Sequence, residues 1–410
     1  MSKASYLLQH EVVLVRQLAS FIGVMVSSFY AILEGPLHYR ALERDKLIGL
    51  GQNMNFDNKV SLSTKSIQEI QWWLKNVKNK NGKRIRPISV SRRCFTDASM
   101  EGYGGIDLIS GLHTQGRWKN QECGYHINYL ELLAVFYCMQ AFYNEFCDIH
   151  IEIHSDSVSV VTYINNFGGM NSLELDDLSK CLWEWCLRRN IYISAVHVPG
   201  KLNKSADYYS RNFSDSTEWT LKKDIFERLC RHTFMPSIDL FASRLNNHLP
   251  KFVSCFPEPG AYAVNAFSLS WKDMIPYIFP PFNLIGKVLS KIVIDEVDRA
   301  LMVVPFWFTQ PWFPILLENP CDFPIRLPRH RDLLVLPHNG TLHPLGRKLK
   351  MIGVVLSGKA CRVREFHQML QILSQNLGHR AQENSIAVPG KDGICGILLD
   401  VPVQFVRLKV

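Results

Sequence analysis

Residues 94–99, Cys94-Phe95-Thr96-Asp97-Ala98-Ser99, place a carboxylate inside a run that otherwise reads as a β-strand. Aspartate is depleted in strands, and burying its charge costs free energy unless a positive group sits against it. A lone aspartate there is ordinarily an exposed edge residue or a turn cap, so the surrounding chain decides the matter. "RRCFTDAS", "YGGIDLI" and "LHTQGRW" read as three short strands separated by the turn signals Glu101-Gly102 and Ser110-Gly111, an antiparallel meander. A helix follows in "NYLELLAVFYCMQAFYNEF", then a strand in "DIHIEIHSDS" and a helix in "VSVVTYINNF". Another helix near 174–189, a strand in "IYISAVHVPG" and a helix from Asn203 complete the run. A meander followed by alternation predicts an α/β fold, a mixed sheet with helices on its faces.

The rest of the chain sets the context. At 410 residues and 47% hydrophobic it has material for two or three packed domains. The net charge of +9 favours an anionic partner. Part of it is concentrated just before the opening motif, in Lys75, Lys78, Lys80, Lys83, Arg84, Arg86, Arg92 and Arg93, as a solvated linker or as phosphate contacts. Eleven scattered cysteines without a CxxC pair exclude a disulfide framework and a zinc knuckle, and point to a reducing intracellular compartment, cytoplasmic or nuclear. The uncharged stretch from Gln17 to Leu33 is interrupted by Ser20, Ser27 and Ser28 and ended by Glu34-Gly35-Pro36, which suits a buried helix better than a membrane span of about 20 apolar residues. Further helices are expected at 37–48 and from Ser63, the latter with Ile67, Ile70, Leu74 and Val77 as an apolar stripe.

Four regions result: helical residues 1–85, the mixed sheet at 86–213, a proline- and aromatic-rich α/β module at 214–357, and a weakly patterned tail at 358–410. Within the second region, three more carboxylates stand out. Glu131 lies in the first turn of an apolar helix, where Asn128 to Glu131 also matches a capping box. Asp156 ends the strand whose Ile149, Ile151 and Ile153 share one face, a place where a helix N-cap is common. Asp207 lies in a short helix, where a surface charge needs no explanation. Each has an ordinary structural account; their order along the chain does not.

"FTDAS", "LELLA", "HSDS" and "GKLNKSADYYSR" resemble the four acidic motifs of RNase H domains, and the predicted element order matches that fold, a five-stranded mixed sheet with flanking helices. "LASFIGVMVSSFYAILEGPLHYR" and "SIQEIQWWL" are similar to the thumb and connection of a reverse transcriptase. The wider chain resembles a DIRS-type retrotransposon polyprotein, which also implies polymerase and tyrosine recombinase segments of the same element as partners. The resemblance implies a metal-dependent endoribonuclease acting on RNA/DNA hybrids. Asp97, Glu131, Asp156 and Asp207 would be catalytic residues and metal ligands. Asp97 would bridge two Mg²⁺ ions, or Mn²⁺ in their place, about 3.5 to 4 Å apart. Asn128 would contact 2′-hydroxyl groups, and Lys80, Lys83, Arg84 and Arg86 would contact phosphates. Many RNases H carry a histidine in the loop before the last aspartate; "PGKLNKS" has none, and His197 falls on the preceding strand as a core or surface residue.

In the third region "SIDLFAS", "AFSLSW", "YIFPPFNLIGKVL" and "ALMVVPFWFTQPWF" resemble the motifs of a Dam-like adenine-N6 methyltransferase module with a Rossmann-like fold. The resemblance would make Asp239, Pro280, Pro281 and Phe282 cofactor- and base-binding residues. Phe279, however, stands where active enzymes place an Asp or Asn acceptor, and "DLFAS" lacks the usual glycines, which speaks against S-adenosylmethionine. Two alternatives to the ribonuclease stay open: a non-catalytic nucleic-acid-binding remnant and, behind it, the methyltransferase.

Overall fold

A computed structural model describes residues 2–10, 12–83, 89–213, 219–383, 394–398 and 401–408. The chain divides into two compact units, Met1–His113 with Glu122–Arg211, and Thr114–Gln121 with Asn212–Val410.

In the first unit, after a short helix at Ser2–Gln9, helix α1 (Val15–Ser27) buries Leu18, Phe21, Ile22 and Met25 at helical spacing. It gives way to 3₁₀ turns at Ser28–Tyr30 and Gly35–Leu37, where Glu34-Gly35-Pro36 breaks the pattern. No helix among the described residues is long and apolar enough to cross a membrane. Helix α2 (Arg40–Leu50) has no side-chain cap of its own; Glu69 of α3 (Thr64–Asn76) caps it, accepting from the backbone N–H groups of Ala41 and Leu42 at 3.1 Å each. Ser63 caps α3 in turn, its hydroxyl accepting from Ser66 N. Within the expected stripe Ile70 is fully buried, and Trp73 and Glu69 turn inward with it. Arg44 ties this helical part to the rest of the unit by donating to Asp176 at 2.8 Å and to the Gly169 carbonyl at 3.1 Å.

The strands β1 (Arg92–Ala98), β2 (Gly102–Asp107), β3 (His113–Arg117), β4 (His150–Ser155) and β5 (Tyr192–His197) form one sheet in the order β3-β2-β1-β4-β5. β2 is antiparallel to β1, whereas β4 and β5 run parallel to it, so the expected mixed five-stranded sheet is present. Between and after these strands lie α4 (Ile127–Tyr143), α5 (Val158–Asn165), α6 (Leu173–Leu187) and α7 (Lys204–Arg211). The turn before β2 leads into Gly104 and Gly105, which face opposite sides of the sheet. A Cβ on Gly104 would collide with the backbone of Ser210 and Ala206 in α7, and one on Gly105 with the Cys138 sulfur of α4. Absence of side chains there lets both helices approach the sheet closely.

In the second unit, α8 (Lys223–His232) precedes β6 (Ile238–Asp239), β7 (Pro276–Ile278), α9 (Ile285–Ile294), β8 (Ala300–Pro305), β9 (Ile325–Arg326), β10 (Met351–Leu356), α10 (Ala360–Glu383) and β11 (Val406–Arg407). The sheet order is β11-β9-β10-β8-β7-β6, with β6, β7 and β8 mutually parallel and β10 antiparallel to β8 and β9. An α/β module with a parallel core is therefore present. The weak structure expected beyond 358 is corrected: the 24-residue α10 lies there, Phe366 and Leu370 sit in the core, and β11 pairs with β9. Val363, Phe366, Leu370, Leu373 and Leu377 recur three and four apart there, the spacing of one helix face.

Gly104→Ala should lower stability by about 1 to 3 kcal/mol, the usual range for overpacking. Equilibrium urea unfolding would check this; an unchanged midpoint would mean that α7 is not seated against β2 as described.

Candidate active site

Asp97 sits near the C-terminal end of β1, 3% exposed, and its Oδ2 accepts a hydrogen bond from Ser210 Oγ of α7 at 2.6 Å. Burial pushes its pKa up to about 6; the negative charges of Asp156 and Asp207 add to the rise, and the Ser210 hydrogen bond and Arg211 oppose it.

Glu131 reaches the same point from α4. Its expected capping-box partner is not Asn128: the helix starts at Ile127, its N-cap is His126, and the His126 Nδ1 accepts from Asn128 N at 3.2 Å. That start puts Glu131 in the fifth helical position, too far along to close a box with Asn128. Its carboxylate instead accepts from the backbone N–H of Ala98, the last residue of β1. Oε2 is buried and has no hydrogen-bond partner among the described residues. Burial raises the Glu131 pKa to about 9, with Asp97 and Asp156 contributing.

Asp156 follows β4 directly and is half-buried. It is not the N-cap of α5, since Ser157 fills that role by accepting from Val160 N. Freed from capping, one carboxylate oxygen of Asp156 lies with one each from Asp97 and Glu131, all within 4.8 Å of one another. Strand β1, the start of α4 and the end of β4 thus aim three carboxylates at one point.

The fourth acidic residue stands apart from that trio. Asp207 is about half exposed, and its Oδ1 accepts from Arg211 Nε at 2.7 Å, one helical turn on. Electrostatically it still reaches Asp97. Asn203, ahead of α7, is buried and donates from Nδ2 to the Thr96 carbonyl at 3.0 Å, fastening the helix to β1. Ser210, Arg211 and Asn203 were not singled out from sequence. Arg211 and Ser210 fall four and three residues after Asp207, a spacing that marks one helix face. His197, set aside on sequence grounds, is exposed at the end of β5, its Nε2 3.1 Å from the Asp156 carbonyl.

Hard divalent cations prefer carboxylate oxygens, and the arrangement fits one. Three oxygens converge, one buried Glu131 oxygen lacks a partner among the described residues, and burial together with neighbouring negative charge makes two of the groups hold protons unusually tightly.

The remaining predicted site residues are elsewhere. Asn128 is half-buried in the first turn of α4, three residues before Glu131. Lys83 is exposed, and Lys80 is engaged by Glu34 at 2.7 Å; Arg84 and Arg86 lie outside the described residues. In the second unit Asp239 ends β6 and is fully buried. Its Oδ2 accepts from His248 N at 3.1 Å, and burial lifts its pKa to about 7. Pro280, Pro281 and Phe282 follow the neighbouring β7. Phe282 packs between the rings of Phe279 and Trp307, with centroids 6.4 and 5.2 Å away.

The chain is similar to several solved structures. LC11-RNase H1, isolated from compost by a metagenomic approach, matches 29% of this chain and 91% of its own length at 19% identity, with a TM-score of 0.24. RNase H1 from Halobacterium salinarum matches 29% of this chain and 92% of its own at 19% identity, also with a TM-score of 0.24. A foamy viral protease-reverse transcriptase in complex with double-stranded DNA matches 48% of this chain and 35% of its own at 10% identity, with a TM-score of 0.20. No family model and no curated protein sequence matches the chain.

A carboxyl whose pKa is higher in the folded than in the unfolded chain binds more protons when folded, so stability falls as pH rises between the two values. For Asp97 and Glu131 that window runs from about 4, the unfolded value, up to about 6 and about 9. In EDTA the thermal midpoint should therefore decline across this range, and Glu131→Gln should remove the upper part of the decline. Mg²⁺ should raise the midpoint more at alkaline than at acid pH. A wild-type profile parallel to that of Glu131→Gln would show that Glu131 is not held protonated.

Proposed function

We propose that the first unit is a divalent-metal-dependent endoribonuclease of the RNase H type, cleaving the RNA strand of RNA/DNA hybrids during replication of a DIRS-type retrotransposon. The convergence of Asp97, Glu131 and Asp156 carries this proposal. These residues would hold Mg²⁺, or Mn²⁺, with Asp207 joining them on release from Arg211. With Asp207 included, the four carboxylates would hold two such ions, the number that two-metal phosphoryl transfer uses. A divalent cation in this place supplies Lewis-acid stabilisation of charge on the phosphoryl oxygens during an in-line displacement. The protein's own part is to fix the ligands: Ser210 holds the Asp97 carboxylate, the Ala98 amide orients Glu131, and Asn203 seats α7 on β1. Asn128, one turn from Glu131, would meet the 2′-hydroxyl that separates RNA from DNA. Lys83 is placed to contact phosphate more freely than Lys80, whose ammonium is shared with Glu34.

A non-catalytic nucleic-acid-binding remnant is the second possibility, favoured by one observation, the engagement of Asp207 by Arg211. Cleavage of a labelled RNA/DNA hybrid with Mg²⁺ and with EDTA separates the two. Asp97→Asn should reduce cleavage to the level of the EDTA control and leave hybrid binding within about twofold, because it removes a cation ligand and no phosphate contact. Undiminished cleavage by this variant would remove Asp97 from the site.

For the second unit we propose a Rossmann-like scaffold without methyltransferase activity. Phe279 offers no hydrogen-bond acceptor to an adenine amino group, and removing one such preorganised group typically costs about 2.7 to 4 kcal/mol of transition-state stabilisation. No transfer from labelled S-adenosylmethionine to duplex DNA is expected. Transfer above the no-enzyme control, lost in Asp239→Ala, would assign the acceptor elsewhere.

A further inference from the structure

Residues 326–350 hold six arginines and lysines, Arg326, Arg329, Arg331, Arg347, Lys348 and Lys350, against one carboxylate, Asp332. The fold brings the two halves of this stretch together. Strands β9 and β10 pair with Arg326 opposite Ile352, and Leu327 N donates to the Met351 carbonyl at 3.0 Å. Residues 328–331 and 347–350 therefore adjoin the same end of the sheet. Their contact continues outward: a Cβ on Gly346 would stand 4.0 Å from Arg331 Cγ.

The leucines of these segments, Leu327, Leu333 and Leu349, turn into the core, which leaves the cations outside. Arg329, Arg331, Arg347, Lys348 and Lys350 are all exposed. Asp332 does not neutralise them, because it is engaged by Lys222 Nζ at 2.7 Å. Among the described residues none of the five has an ion-pair partner. Five uncompensated cations on two anchored segments form a surface that selects a polyanion.

We infer that this end of the second unit binds the phosphate backbone of nucleic acid. Three of the five cations are arginines, whose rigid planar fork pairs with phosphate oxygens in bidentate fashion. An anionic membrane would favour the same charge, but it rewards several apolar side chains interleaved with the cations, and of the leucines at 326–350 only Leu345 is exposed, the three named above being buried. None of these cations belongs to the acidic cluster of the first unit.

The test uses the full chain in EDTA with a short DNA duplex, followed by fluorescence anisotropy over a series of salt concentrations. Each phosphate contact contributes about 0.9 to the slope of log K against log salt for B-DNA. R329A/R331A/R347A/K348A should therefore bind with a slope shallower by about 3 to 4. R329K/R331K/R347K, which keeps the charge, should retain most of the slope. Should the alanine set lower the thermal midpoint, R347Q/K348Q on the exposed turn gives the same reading, with a loss of about 2. A neutralised variant with the wild-type slope overturns the inference, as does a wild-type chain that binds phosphatidylserine vesicles but not the duplex. Duplex binding in EDTA does not depend on hybrid cleavage, so failure of the ribonuclease assay and failure here are separate results.

Discussion

Like charges within 4.8 Å of one another repel, and Asp97, Glu131 and Asp156 are held that close by the elements that carry them. At 4 Å, and the effective dielectric of a partly buried site, each such repulsion is on the order of 4 kcal/mol. The sheet and the helices packed against it must supply what the cluster costs. The Gly104-Gly105 pair, the Asn203 side chain and the Ser210 hydroxyl are the visible means. Proton uptake relieves the repulsion without cation, and this adds to burial, the larger cause, in raising the pKa of the two most buried members above the usual carboxylate range.

The second unit offers a contrast. Asp239 is as deeply buried as Asp97, yet among the described residues no other carboxylate converges on it, and burial raises its pKa. It accepts backbone hydrogen bonds from Phe241 and His248 and so serves to shape the loop after β6. A buried acid by itself is therefore a weak sign of chemistry in this chain, and the grouping of acids is a strong one.

The grouping was legible in the sequence because it depends on order. The turn signals at 101–102 and 110–111 and the alternation of Ile149, Ile151 and Ile153 locate the strands, and each of the three converging acids lies at or near an element end. Caps were less legible. His126 and Ser157 hold the positions expected of Asn128 and Asp156, a shift of one or two residues that local propensity does not resolve. The state of Asp207 was not legible either. Its partner Arg211 is visible at helical spacing, but whether a salt bridge or a cation claims the carboxylate depends on how far α7 stands from β1. The helix at Ala360–Glu383 was legible in principle, since Val363, Phe366, Leu370, Leu373 and Leu377 recur at helical spacing, and the weak structure expected there overlooks that stripe.

Helix α2 starts at a tyrosine that offers no cap, and the carboxylate that completes its first turn comes from Glu69, some thirty residues downstream. The first turn of α2 is thus satisfied only once α3 has docked beside it. A chain emerging from a ribosome would hold the Ala41 and Leu42 amide groups without this acceptor until residue 69 had cleared the exit. A truncation between the two helices would therefore cost α2 its cap, worth about 0.5 to 2 kcal/mol.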